Sequence, residues 1–324
     1  MAELNPASVA VSSGTPYVTP QMLLSAPTGI VWSTLGPGAK PTEQQQFNEQ
    51  VNLCRRSTSM IDGYCNQPLR ATLDQEVLYG PGDFRFHMQP NGNARLLLSR
   101  SPVTQVLNAY VTLASQFPPV WTAVGPANVR VEKPLIGVYG TSVPSGSDNA
   151  GQAVLLAPGN VSWLAGRLGY MVAIEYVNGW PHGSLTEPVA VGDMTVSMDD
   201  CAGWGPPPAS TLPAAASGAA GTIYDPGWQE VFTTVAASSA TGPGVLTLAA
   251  AAAYAHPVGT MVSTLPNSII QAAILYCVAQ ALVRGATATT IQAMPGSESI
   301  AGGRTGEDLA TEAELLVHPY KRVI

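Results

Sequence analysis

Charge is scarce in this chain. Asp, Glu, Lys and Arg make up 11% of its 324 residues, and 21 acids outnumber 14 bases, for a formal net charge of −7. A chain short of cations does not grip a nucleic-acid backbone by releasing counterions, which excludes specific DNA or RNA recognition as its main work. Cysteine is sparse too: four residues do not make a disulfide scaffold at this length. Cys54 and Cys65 fall in one expected helix, about 16 Å apart by helical rise, too far to bridge. Free, buried thiols and synthesis in a reducing compartment are therefore expected. The N-terminus has neither the basic nor the apolar region of a secretory leader.

Catalytic and metal-binding spacings are also missing. The four histidines, His87, His182, His256 and His318, stand alone, with no HxxxH or HExxH. Asp193, Asp199 and Asp200 lack the central glycine and terminal glutamate of a calcium loop and read as turn acids. No phosphate-cradling glycine loop follows a strand, and no GxSxG elbow occurs. Asp225 and Glu230 flank a turn without making a convincing glycosidase pair. The expectation is a non-enzymatic protein with no cofactor and no metal.

Turn-formers, by contrast, abound: 32 glycines and 28 prolines. With so little charge, they suit a β-rich chain with many short connections and surfaces that meet other protein. Against that background, Pro266–Gly285 stands out as a helix. Ile269, Ile270, Ala273, Ile274, Cys277, Val278, Ala281 and Leu282 recur at spacings of three and four, with Gln271 and Gln280 as polar breaks. Asn267–Ser268 offers a start, Arg284 complements the helix end, and Gly285 suits a C′ position. The run is shorter than the about 20 apolar residues of a bilayer span, so it reads as a core helix and no membrane is expected.

Met1–Pro16 reads as a flexible arm. Thr19–Pro20 opens a short helix through Leu24. Pro37–Pro41 reads as a loop. Thr42 and Gln45 have capping-box spacing, and Phe47, Val51, Cys54, Ile61 and Cys65 mark one face of a long helix that ends near Asn66. From Leu69 to Val177 the period changes to two, with eight short strands separated by turns. In Val103–Leu113 one face is expected to carry Val103, Leu107, Ala109, Val111 and Leu113. Thr141–Gln152, Pro206–Ala220 and the stretch after Gly285 up to Gly306 read as loops. Pro188–Leu265 repeats the strand–turn style, with a hairpin about Asp225–Pro226–Gly227. A last helix, Glu307–Val317, has acids in its first turn. Trp180, Trp204 and Trp228, in or beside this second β-module, are candidate interface aromatics or a sugar platform.

The fold class expected is α+β: a small core of N- and C-terminal helices with large β-rich insertions. Residues 1–68 form the arm and helices, 69–185 a β-rich region, 186–265 an inserted β-module, and 266–324 the C-terminal helices and tail packing with 17–68.

Several segments, taken in order, resemble the head-to-tail adaptor (connector) proteins of long-tailed bacteriophages. They are the leucine–Ser-Pro-Val–valine strand Leu96–Val111, the turn Tyr176–Val177–Asn178–Gly179–Trp180–Pro181, the Ala/Leu helix Ala272–Gly285, and the ending Leu315–Arg322. The module Val191–Leu265 is similar to an insertion in adaptors of phages of actinobacteria. The departure is size, since simpler members are shorter and mostly helical. The resemblance implies a homo-oligomeric ring, commonly of about twelve copies, beneath the portal protein. It would continue the channel for passing genomic DNA and offer a platform to the next neck or stopper protein or a tail terminator. An acidic lumen would let DNA slide. On that reading the portal contact is expected on the last helix and tail, at Leu316, His318, Pro319, Tyr320, Lys321 and Arg322, where Tyr320 and Arg322 are residue types enriched at interface hot spots. The alternative is a virion decoration or tail-surface protein whose β-module binds host glycan through its tryptophans.

Overall fold

The computed structural model describes residues 14–36, 41–80, 86–88, 94–115, 118–124, 129–131, 153–156, 169–205, 219–284 and 305–322. Helices and sheets are both present, so the chain is α+β. The stretches read as loops at 37–40, 141–152, 206–218 and 285–304, and the arm 1–13, lie outside the described residues.

Helices α1 (Pro20–Ser25), α2 (Glu43–Cys65), α3 (Asn267–Val283) and α4 (Gly306–Val317) contribute to one buried cluster together with Tyr17, Val18 and Tyr320. The start of α2 is capped reciprocally: Gln45 N–H donates to Thr42 Oγ1 at 3.3 Å, and Thr42 N–H donates to Gln45 Oε1 at 2.8 Å. Its buried stripe runs through Gln50, Leu53, Cys54, Ser57, Thr58, Ile61 and Cys65. Phe47, expected on that stripe, is 52% exposed. Burial begins at Gln50, and about the first two turns of the helix project beyond the core.

Helix α3 is buried nearly all round rather than on one stripe, as suits a central helix. Each large apolar side chain it buries contributes about 1.5–3 kcal/mol. Its N-cap is Pro266, with no side-chain capping bond. The expected cap from the Asn267–Ser268 pair is not made. Arg284, expected to complement the helix end, pairs with Glu49 on α2. All four cysteines are buried and free.

Two four-stranded sheets face one another. One has the order β1 (Thr72–Gly80), β8 (Tyr170–Asn178), β4 (Val103–Leu113), β5 (Thr122–Ala123) and is antiparallel throughout. The other has the order β2 (Phe86–Met88), β3 (Ala94–Leu97), β7 (Ala153–Leu156), β6 (Val129–Val131). Leu78, Ala94, Leu96, Val106, Ala109, Val111, Val172, Ile174 and Tyr176 pack between them. The expected face of β4 is only partly right. Register shifts fall between Val103 and Gln105 and again between Val106 and Asn108. Each such bulge changes the phase of alternation. Val106 therefore turns into the sandwich, while Leu107 packs with Ala71, Val177 and Ala202 on the far side.

The remaining strands are β9 (His182–Ser184), β10 (Thr195–Met198), β11 (Ala220–Tyr224), β12 (Glu230–Ala237), β13 (Gly244–Leu248) and β14 (Met261–Ser263). They run β10-β13-β12-β11-β14-β9, and the two ends of that order meet. Leu185 bridges Met198, Thr186 N–H donates to Ser197 O at 3.0 Å, and Asp199 N–H donates to Ser184 O at 3.0 Å. The sheet thus closes into a barrel around Val196, Met198, Trp204, Ile223, Phe232, Leu246 and Val262. It begins at His182, ahead of the boundary at residue 186 read from the sequence. Asp199 holds the closure: its Oδ1 accepts from Ser184 N–H at 2.6 Å. Close approach there also demands Gly183, where a Cβ would lie 2.5 Å from Asp199 Oδ1.

Residues 14–16 are fixed rather than free. Thr15 Oγ1 donates to Asp199 Oδ2 at 2.6 Å, and Tyr17 N–H donates to Thr58 Oγ1 on α2 at 2.9 Å. This strap ties the barrel to the helices.

Candidate docking surface

The C-terminal segment is built on α4. Thr305 and Asp308 cap it reciprocally: Asp308 N–H donates to Thr305 Oγ1 at 3.2 Å, and Thr305 N–H donates to Asp308 Oδ2 at 2.8 Å. Leu309, Ala313 and Val317 face the core. A single 3-10 turn, His318–Tyr320, follows.

The six residues read from the sequence as a portal contact do not share one environment. Tyr320 is buried, 4% exposed, with its ring edge-on to Trp180 at 5.2 Å. Its hydroxyl lies 2.9 Å from that of Ser268, and its carbonyl accepts from Gln67 Nε2 at 3.0 Å. His318, Pro319 and Lys321 are exposed, while Leu316 and Arg322 are half-buried. The backbone of Arg322 is anchored by donation to Cys65 O at 2.9 Å. Tyr320 is thus a fastener, and removing the tail after Val317 would disturb the core it closes.

Tyr64, on α2, is the residue that sequence reading missed. Its hydroxyl lies 3.0 Å from His318 Nδ1, and Lys321 Nζ sits 4.7 Å from its ring centroid, within cation–π range. Nothing in the sequence signals this, because Tyr64 lies beside the apolar stripe of α2. Tyr64, His318, Pro319 and Lys321, flanked by the 70% exposed Leu315, form a mixed aromatic and cationic surface. Deeper in, burial pushes the Cys65 thiol up to about 12, which keeps it protonated and inert. Burial also raises the Asp74 carboxyl, against the opposing pull of Arg100, whose guanidinium lies 2.9 Å away.

The three tryptophans separate as well. Trp204 is fully buried in the barrel, stacked on Phe232 at 5.4 Å, so it is a core residue and not part of a sugar platform. Trp180 is half-buried against the helical cluster. Only Trp228, 58% exposed, is open to a partner, tilted against Tyr254 at 5.3 Å. Close by in sequence, the buried His256 faces Asp225 Oδ2 at 3.2 Å and Glu230 Oε2 at 3.4 Å. Glu230 also accepts from Ala253 N–H at 2.8 Å. These groups brace the loop that carries the aromatic pair.

Asp193 and Asp200 accept from backbone N–H groups of turns, whereas Asp199 accepts from Ser184 N–H of β9. Among the described residues no group of three or more His, Cys, Asp or Glu is placed to hold a metal ion. No described helix is long and apolar enough to cross a membrane. No family model, no curated protein and no solved structure matches the chain.

Proposed function

We propose that this chain is a structural virion protein, the head-to-tail adaptor of a long-tailed bacteriophage. It forms a ring of about twelve copies beneath the portal, extends the DNA channel and offers the platform for the next neck or stopper protein or a tail terminator. It is assembled in the host cytoplasm and works at the neck of the particle, without catalysis or cofactor. The resemblance of Leu96–Val111, Tyr176–Pro181, Ala272–Gly285 and Leu315–Arg322, in that order, supports this reading. The observation that carries it is the C-terminal turn. Tyr320 is sunk as an anchor while His318, Pro319 and Lys321 stay at the surface beside Tyr64. A buried fastener that holds exposed polar and cationic groups in a fixed pose is preorganised for a protein partner.

Electron microscopy of particles made without this chain tests the proposal. DNA-leaking or tailless heads beside free tails are expected. Complete, tailed particles that fail to adsorb would overturn it. At residue level, a Tyr64→Ala, His318→Ala, Lys321→Ala triple variant should fold and lose portal binding.

The exposed Trp228–Tyr254 pair favours a second reading, a decoration or tail-surface protein that holds host glycan on those rings.

A further inference from the structure

Edge strands differ sharply across this molecule. The barrel has no free edge, because β9 and β10 meet. The sheet β2-β3-β7-β6 ends in strands of three residues each. The sheet β1-β8-β4-β5 is short at one end, where β5 has two residues, and long at the other, β1. β1 runs for nine residues, and its described partner is β8, on one side alone. Long open edges invite pairing, and natural proteins usually blunt them with lysine, proline or a bulge. β1 carries no Lys and no Pro, and its ladder with β8 runs unbroken from Thr72 to Gly80.

Its acids do not guard the edge either. Asp74 pairs with Arg100, and Glu76 accepts from Ser99 and Tyr176. The alternate positions Leu73 and Tyr79 are 45% and 55% exposed. At the far end of the same sheet Pro118 and Pro119 end the free edge on one side, and Val120–Ala123 beyond them is exposed apart from the half-buried Trp121, with Val120 58% exposed and no charge along it.

The polarity of the two edges indicates what covers them. β1, β8, β4 and β5 alternate in direction. An even number of alternating strands leaves the two edges antiparallel to each other. A second copy in the same orientation can then set its β5 edge against β1 and continue the antiparallel pattern. That is a heterologous contact, the kind that closes into a ring, whereas β1 against β1 would need a two-fold axis. We infer that copies of this chain join edge to edge, β1 of one copy pairing with the Val120–Val124 edge of the next. The inference rests on the ring reading for closure alone; the pairing itself stands on the two edges.

Two variants test it: Leu73→Lys with Tyr79→Lys on the β1 edge, and Val120→Lys with Thr122→Lys on the β5 edge. Both place lysines at exposed sites, and melting curves establish that the fold is kept. In sedimentation velocity the wild type is expected to self-associate with increasing concentration. Each variant alone should associate at least about tenfold more weakly, a change the loss of a few cross-strand pairs supplies. An equal mixture should give only one-to-one pairs, since each variant retains the opposite edge. The β1 amides that point away from β8 should exchange slowly in the assembled wild type and fast in the β1 variant.

Variants that assemble as the wild type does, or assembled wild type in which the outward-pointing β1 amides are unprotected, would overturn edge joining and leave a ring built on other surfaces standing. A wild type that stays monomeric at every concentration, or a mixture that stays monomeric, would also overturn it. Failure of the adaptor reading shows separately, as intact tailed particles in the absence of the chain.

Discussion

The hydroxyls of Tyr320 and Ser268 lie 2.9 Å apart, so the C-terminal turn is pinned to the first turn of the central helix α3. Ser268 stands where a capping side chain was expected, and it serves tertiary structure instead. Replacing Tyr320 by Phe removes one neutral hydrogen bond and should cost about 0.5–1.5 kcal/mol. Tyr320→Ala also empties the site beside Trp180 and should cost about 3–5 kcal/mol. His318→Ala should stay within about 0.5 kcal/mol. Urea unfolding midpoints check all three. A Tyr320→Ala chain as stable as the wild type would mean that the turn is not a fastener.

Acid should weaken the strap through His182. Burial lowers this imidazole to about 4, against donation toward the Thr15 and Pro16 carbonyls and the Asp199 charge, which raise it. Nε2 lies 3.0 Å from Thr15 O and 3.1 Å from Pro16 O, both acceptors, so it carries the proton, and Nδ1 accepts from Ser263 Oγ at 2.9 Å. The unfolded chain takes up a proton near pH 6.5 and the folded chain only near 4. Stability should therefore fall as pH drops across that window, by about 3 kcal/mol in total. Asp62, Asp74 and Asp200 are raised by burial and act in the opposite sense near the lower end. The decisive measurement is the difference in slope between wild type and His182→Gln from pH 7.5 to 4.5. Equal slopes would exclude His182 as the cause.

Gly221 leaves room for the barrel's central ring. A Cβ there would lie 2.6 Å from Trp204 Cη2 and 2.9 Å from Phe232 Cζ. Gly221→Ala should destabilise by about 1–3 kcal/mol through overpacking, with a matching change in tryptophan fluorescence. A neutral outcome would show that the Trp204–Phe232 stack can slide.

Trp228 discriminates the two functional readings. Trp228→Ala should leave stability within about 0.5 kcal/mol, since the side chain is largely in solvent. On a glycan array the adaptor reading expects no signal from the wild type. A signal abolished by Trp228→Ala would transfer the chain to the receptor-binding class. Trp204→Ala is unsuitable as a control, because it empties the barrel.

The helices and most strands were legible because their signals are local. The Thr42–Gln45 box, the spacing in α3 and the alternation in β12 and β13 need no distant partner. What escaped depends on tertiary structure. β9 is His-Gly-Ser, with no β-branched residue to mark it, and Asp199 supplies its hold from outside the strand. The two bulges in β4 arise in pairing with β8 and reverse a face that alternation alone assigns. For the candidate site, the sequence reading takes the ending Leu315–Arg322 as a single surface. The division into buried Tyr320 and exposed His318, Pro319 and Lys321 was not legible, because it depends on Trp180, Ser268 and Tyr64, all remote in sequence.

The strap has a consequence for the order of events during synthesis. Thr15 finds Ser184 and Asp199 across 169 and 184 positions, and Gln67 finds Tyr320 across 253. Ties of such span carry the entropy of large loops and form late. A nascent chain that has emerged only as far as the barrel possesses α2 but none of the C-terminal contacts that seat it. The end of α2 is therefore among the first parts made and among the last to settle.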